Sequence, residues 1–285
     1  MQKVAIVTDS TAYLSAEQVA LNNITVLPLS IIWEGKSYRD GVDMQPAKFY
    51  ERLSQSKALP TTSQVTAPAI QEAFSALLEQ GHDVLGMFVS SKLSGTFESA
   101  VQARKMMQGA QEMIALVDSE LTTVAMALPL LAAAKAACAG EGLQGCKAIA
   151  ERARDQSGVL FVVETLEFMR RGGRIGDAQA FLGTALSIKP LLGMSDGRII
   201  ALEKVRRKSA ALNRMLEIVI ERVGDRAPVH IATSHANAEV EAEELLQTAA
   251  ARMQPVEAFT RPLSPVIGSH VGPGTVALAY MAGIG

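Results

Sequence analysis

Three short polar segments combine hydroxyl groups with one imidazole and could bind a small anion. They are residues 60–64 (PTTSQ), 90–96 (SSKLSGT) and 268–275 (GSHVGPGT). Each lies where a strand pattern gives way to a helix or to another strand. Neutral hydrogen-bond donors that converge from such places suit one carboxylate or phosphate group and require no metal ion.

Ser94 precedes Gly95 and a predicted helix over residues 95–107. At this position the hydroxyl and the first N–H groups of the helix can point at an anion. The same pattern also fits an ordinary N-cap, which stabilises a helix by about 1 kcal/mol. The local sequence leaves both interpretations open.

Thr62, Ser63 and His270 allow a similar choice. Thr62 and Ser63 come shortly before a helix that Thr66 opens, and their hydroxyls could equally bond to solvent or backbone. His270 is flanked by Gly268 and by residues 272–274 (GPG), and glycines let the backbone approach a ligand closely. An imidazole beside an anion would gain affinity for its proton and donate a charge-assisted bond, whereas a structural loop histidine is the alternative.

A basic segment spans residues 170–208. It holds nine basic and three acidic residues, a net charge of +6, although the whole chain carries −2. Such a region can hold phosphate or attract an acidic partner, or it can be a solvated surface.

Several functional classes are not supported. The net charge of −2 and an aromatic content of 5% give no basis for binding nucleic acid. The sequence contains no phosphate-binding Gly-rich loop and no Gly-x-Ser-x-Gly elbow. No metal site is predicted, since Cys138 and Cys146 have no partner motif. The apolar run 124–134 is too short to span a bilayer, so we expect a cytoplasmic protein without integral membrane association.

The elements that would position these side chains form an α/β pattern. Strands and helices alternate in the first half, which predicts a parallel three-layer α/β/α sheet domain. Residues 24–33 are predicted to form one strand, with a bend or sheet edge at Pro28. In the second half, residues 195–198 (SDGR) between two apolar runs predict a hairpin and therefore a mixed sheet. We expect two domains, residues 1–157 and 158–285, with the ligand at their interface.

Several motifs together resemble the DegV family of bacterial fatty-acid-binding proteins. They are residues 7–11 (VTDST), 40–43 (DGVD), the three polar segments, and residues 165–175 (TLEFMRRGGRI). Their order along nearly the whole chain makes the resemblance specific.

The resemblance implies a protein that binds one long-chain fatty acid, with the tail in an apolar tunnel. By motif, Thr62, Ser63, Ser94 and His270 would contact the carboxylate. Arg174 and Arg170 would lie near the mouth, at the head group or the docking site of a kinase. No cofactor is implied beyond the bound lipid.

The resemblance also implies that a separate ATP-dependent fatty acid kinase phosphorylates the bound carboxylate. The resulting acyl-phosphate would enter phospholipid synthesis, and the binding subunit itself would not be an enzyme. One alternative is a small-metabolite enzyme related to dihydroxyacetone kinases, with His270 as nucleophile or base. A weaker alternative is a lipid sensor whose basic segment binds some other partner.

Overall fold

The computed structural model describes residues 3–182 and 188–284. The first sheet is parallel and four-stranded. Its order is β2 (Ile24–Leu27), β1 (Lys3–Asp9), β6 (His82–Phe88) and β7 (Ile114–Asp118). Buried apolar residues fill β1 and β6, as expected for strands covered on both faces.

A second sheet has six strands and mixed directions. Its order is β10 (Arg198–Val205), β9 (Lys189–Ser195), β8 (Ser157–Val162), β13 (Val276–Ala282), β11 (Val229–His235) and β12 (Glu257–Pro262). Only the β11–β12 pair is parallel. The turn at Asp196 and Gly197 forms the predicted hairpin between β9 and β10. A parallel sheet followed by a mixed α/β sheet confirms the expected fold class, whereas the two-domain division stays a prediction.

The strand predicted over residues 24–33 is two strands in two different sheets. The chain breaks around Pro28, and β3 (Ser30–Trp33) joins a small antiparallel sheet with β4 (Lys36–Arg39) and β5 (Thr61–Ser63). Proline cannot donate to a strand ladder, which explains a break at this point. The segment containing Thr62 and Ser63 is therefore a short strand and not a loop.

The helices are α1 (Ala16–Leu21), α2 (Pro46–Gln55), α3 (Ala67–Glu79), α4 (Thr96–Met106), α5 (Thr123–Cys138), α6 (Leu143–Asp155), α7 (Glu167–Gly172), α8 (Lys208–Val223), α9 (Glu239–Met253) and α10 (Pro265–Val271). Short 3-10 helices cover Ser10–Ala12, Gln111–Met113 and Gly176–Phe181. No helix among these residues is long and apolar enough to cross a membrane.

Helix α5 connects the two large sheets. It contains the apolar run noted in the sequence, and its residues from Thr123 to Leu131 are all buried. The helix contacts β1 in the parallel sheet and β8, β11 and β13 in the mixed sheet. One apolar core cluster consequently includes residues of both sheets, among them Val7 and Ala277.

Two expectations about the polar segments are wrong in detail. His270 lies in the last turn of α10 and not in a loop, because the Ser264 hydroxyl accepts a hydrogen bond from Ile267 N (3.3 Å) and Pro265 starts the helix. The N-cap of α4 is Gly95 and not Ser94. Helix α4 thus begins at Thr96, one residue later than it would if Ser94 were its N-cap.

Candidate functional site

A cavity of about 260 Å³ brings together most of the residues singled out in the sequence. Its polar wall includes Thr62, Ser63, Gln64, Ser94, Arg174 and His270. Its apolar wall includes Leu29, Val89, Val159, Phe161, Met194, Ile199, Leu263, Val266 and Ala277. Strands of the mixed sheet and of the small sheet contribute to it, and so do Thr11 and Val89, which follow β1 and β6 of the parallel sheet. The volume is far larger than the roughly 10–15 Å³ that one water molecule needs.

Thr62 and His270 meet on the polar wall. Thr62 Oγ1 lies 2.8 Å from His270 Nε2, a hydrogen bond whose donor depends on the histidine tautomer. Burial of the ring and the nearby charge of Arg174 lower the pKa of His270 to about 4. The imidazole is therefore neutral at neutral pH. If Nε2 carries the hydrogen, the Thr62 hydroxyl is free to donate into the cavity.

Helix α7 packs directly against the His270 ring. A Cβ on Gly172 would overlap His270 Nδ1, so glycine is needed for this approach. The buried Nδ1 atom has no hydrogen-bond partner among the described residues. The ring is thus fixed by packing on one side and by Thr62 on the other.

Arg174 joins two segments at the cavity wall. Its Nη1 donates to the Gly172 carbonyl (2.7 Å), and its Nε donates to the Leu93 carbonyl (3.1 Å). Within residues 3–182 and 188–284 it forms no ion pair with an acidic side chain. These bonds place a guanidinium beside Ser94 and His270 without neutralising its charge.

The segment before α4 is held by its own hydroxyls and by a glutamine from the neighbouring segment. Ser94 Oγ accepts from Thr96 N (3.3 Å) and lies 3.0 Å from Thr96 Oγ1. Gln64 Nε2 donates to Ser99 Oγ (2.9 Å), which ties the end of β5 to α4. Gln64 was not singled out for a role in the sequence, although it belongs to the Thr-Thr-Ser-Gln segment.

Two buried carboxyl groups position other cavity residues. Asp9 accepts hydrogen bonds from Thr11 N (2.9 Å), Thr11 Oγ1 (2.6 Å) and Val89 N (2.7 Å), and both partners line the cavity. Burial raises the pKa of Asp9, and these bonds oppose that effect. The motif at the end of β1 therefore has a structural role here.

Asp40 also holds cavity residues in place through hydrogen bonds, on another side of the cavity. Its Oδ2 accepts from Ser10 Oγ (2.7 Å), and its Oδ1 accepts from Val266 N (3.3 Å). Ser10 Oγ in turn accepts from Leu29 N (3.1 Å). Burial raises the pKa of Asp40 to about 7, because desolvation outweighs the hydrogen bonds that it accepts.

Arg170 lies outside the cavity lining. Its Nε and Nη2 both donate to the Glu167 carboxylate (2.9 Å each), and its side chain is about half exposed. The paired arginines lower the pKa of Glu167 to about 2. Elsewhere in the basic segment, Lys189 and Lys208 form ion pairs with Glu164. Acidic neighbours therefore neutralise part of the +6 charge.

The apolar wall was not identified from the sequence. Val159 and Phe161 come from β8, Met194 from β9, Ile199 from β10 and Ala277 from β13. A sequence pattern marks these residues only as strand residues, because their convergence depends on strand order. No group of three or more metal-ligating side chains occurs in the described parts of the chain.

Comparison with known proteins gives consistent results over the full length. A family model described as "Uncharacterised protein, DegV family" matches residues 3–283. A DegV domain-containing protein of Halalkalibacterium halodurans is 35% identical over 281 residues, which cover 98% of this chain and 99% of the relative.

Two solved structures share the fold closely. One describes fatty acid binding of a DegV family protein from Thermus thermophilus, with a TM-score of 0.92 and 32% identity over 98% of this chain and 99% of that chain. The other is DegV, a fatty acid binding protein from Bacillus subtilis, with a TM-score of 0.90 and 30% identity over 99% and 100% of the two chains. The chain belongs to the DegV family.

Proposed function

We propose that the protein binds one long-chain fatty acid in this cavity. The observation that carries the proposal is that a polar wall, where Thr62 and His270 meet, adjoins an extended apolar wall from several strands. A small polar pocket would favour the alternative enzyme on a small metabolite, and the apolar wall argues for a lipid.

The carboxylate would lie at Thr62, Ser63, Ser94 and His270. Hydroxyls and an imidazole supply donors, and hydrogen bonds to a charged group contribute roughly 1.5–3 kcal/mol each. An approaching carboxylate would also raise the pKa of His270 from its low value and favour a charge-assisted bond. Arg174, beside these groups, would add a favourable charge at the head group.

The tail would lie along the apolar wall. Burying the chain of a sixteen-carbon acid at about 0.8 kcal/mol per CH₂ releases on the order of 12 kcal/mol before other costs. Desolvating the carboxylate is expensive unless it is hydrogen-bonded. The polar wall offsets that cost, so both parts of the cavity are needed. The fatty acid binding described for the Thermus thermophilus and Bacillus subtilis structures supports this assignment.

The protein would then present the lipid to a separate ATP-dependent kinase and would not be an enzyme itself. The kinase would form acyl-phosphate for phospholipid synthesis, and both proteins would work in the cytoplasm, where ATP is present. Arg170 and Arg174 would contribute to the docking surface. Hydroxyl and imidazole donors would hold the carboxylate less tightly than a bidentate arginine would, so that it could still attack the terminal phosphoryl group of ATP.

Mass spectrometry of an organic extract from gently purified protein tests lipid binding. We expect a stoichiometric C14–C18 fatty acid in the wild type and reduced occupancy in Thr62→Val. An empty extract that stays empty after incubation with several fatty acids would contradict the proposal. Turnover of a small metabolite by this chain alone, abolished by His270→Ala, would instead support the enzyme.

Charge reversal tests kinase docking separately. Arg170→Glu should leave lipid occupancy unchanged and weaken phosphorylation of the bound acid by the kinase. Arg222→Glu, on α8 and outside the cavity, is the matched control. Equal phosphorylation of both variants and the wild type would exclude Arg170 from docking.

A further inference from the structure

A second cavity, of about 300 Å³, lies farther along α5. It shares no lining residue with the first cavity. Helix α5 supplies Leu128, Leu131 and Ala136, and the end of β13 supplies Met281. Leu128, Leu131 and Met281 are almost fully buried, so the floor of this cavity is apolar.

Charged side chains surround that floor. Lys135 comes from α5, Arg152 from α6, His230 from β11 and Glu257 from β12. Glu257 Oε2 accepts hydrogen bonds from Lys135 Nζ (3.2 Å) and His230 Nδ1 (3.3 Å). The bond from His230, together with the charge of Lys135, lowers the pKa of Glu257 to about 2. The negative charge of Glu257 is therefore already balanced by its hydrogen-bond partners.

Arg152, by contrast, has no acidic side chain as a partner in the described residues. Its side chain forms no ion pair or hydrogen bond with residues 3–182 or 188–284, whereas that of its neighbour Arg154 pairs with Asp155 (2.8 Å). Lys135, Arg152 and Glu257 together give the rim a net charge of +1. A guanidinium offers a planar pair of donors that fits a carboxylate in bidentate geometry.

We infer that this second cavity is a binding site for a small amphiphilic carboxylate. The carboxylate bonds to Arg152, and a short apolar tail covers Leu128, Leu131 and Met281. The site is separate from the first cavity, with which it shares no lining residue. The inference does not depend on the function proposed for that cavity.

Titration calorimetry with octanoate tests the inference on protein already loaded with palmitate, so that the first cavity is occupied. We expect saturable binding to the wild type, weakened about tenfold or more in Arg152→Gln. Lys147→Gln removes the same charge from the same helix outside the cavity and should bind like the wild type. Ala136→Leu fills the floor and should also weaken binding, without touching the charge.

A neutral analogue tests the role of the charge. Octan-1-ol should bind more weakly than octanoate, because it lacks the charge, and equal affinities of the two ligands would contradict a carboxylate at Arg152.

Absence of saturable binding, or equal affinity in wild type and Arg152→Gln, would overturn the inference. Palmitate occupancy is measured by extraction from the same samples, so a failure of long-chain binding is seen independently of the octanoate result.

Discussion

Thr62 Oγ1 lies 2.8 Å from His270 Nε2, although 208 residues separate the two in the chain. The contact forms because β5 pairs with β3 and α10 packs on the same small sheet. It places a hydroxyl and a neutral imidazole on one wall of a largely apolar cavity. The proposed carboxylate site depends on this contact.

Removing the Thr62 hydroxyl should weaken fatty-acid binding. Thr62→Val keeps a β-branched residue in β5 and deletes one donor, so we expect a loss of about 1.5–3 kcal/mol, tenfold or more in Kd. Thr61→Val, on the neighbouring exposed position outside the cavity, is the matched control. Displacement of a fluorescent fatty acid measures both, and equal affinities would argue against a carboxylate at Thr62.

The protonation of His270 should change on lipid binding. In the lipid-free protein its pKa is about 4, because the ring is buried and lies near Arg174. A bound carboxylate favours the charged imidazolium, so the pKa should rise, and binding should take up protons between the two values. NMR titration of the imidazole, assigned with His270→Gln, measures this. A pKa near 6.5 without lipid, or one that lipid leaves unchanged, would contradict it.

Gly272→Ala should destabilise the fold more than the same substitution at another glycine with a positive φ angle. Gly272 has φ +77°, and a Cβ there would overlap the Phe168 ring. Gly109 has φ +81° with nothing within 4 Å, so Gly109→Ala reports backbone strain alone, roughly 1–2 kcal/mol. We expect Gly272→Ala to cost about 2 kcal/mol more than that, because overpacking against a ring adds to the strain. Urea unfolding measures the stability of both variants. Similar losses of unfolding free energy would show that the Phe168 ring moves aside at little cost.

Asp40 should make stability fall as pH rises towards neutrality. Its pKa is about 7 in the folded protein against 3.8 for an ordinary aspartate, so the folded state binds more protons between these values. Its contribution is present below about pH 4 and is lost as pH rises through 7. His270, with a lowered pKa, acts in the opposite direction below pH 6.5.

The difference between wild type and Asp40→Asn isolates the Asp40 contribution, since other groups titrate in both proteins. An asparagine side chain cannot ionise. The free energy of unfolding of the variant, relative to that of the wild type, should therefore increase as pH rises from about 4 to about 8. Urea unfolding at several pH values measures the difference. Parallel curves would show that Asp40 does not titrate in this range.

Local elements could be predicted because their signals are local. The helix predicted over residues 95–107 is α4, at Thr96–Met106, and residues 195–198 form the hairpin turn expected from Asp-Gly. The helix that contains His270 was missed, because glycines at 268 and 272 resemble a loop while Ser264 and Pro265 supply the start signal upstream. The break at Pro28 was expected as a bend, but the move to another sheet was not.

Residue types, their spacing and the order of the motifs were enough to predict the family, the α/β class and the side chains with hydrogen-bonding groups. Which of those side chains meet is a property of the folded chain. Folding joined Thr62 to His270, left Arg170 paired with Glu167 outside the cavity, and built the apolar wall with four strands of the mixed sheet. Such contacts depend on strand order and long-range packing, which no local pattern encodes.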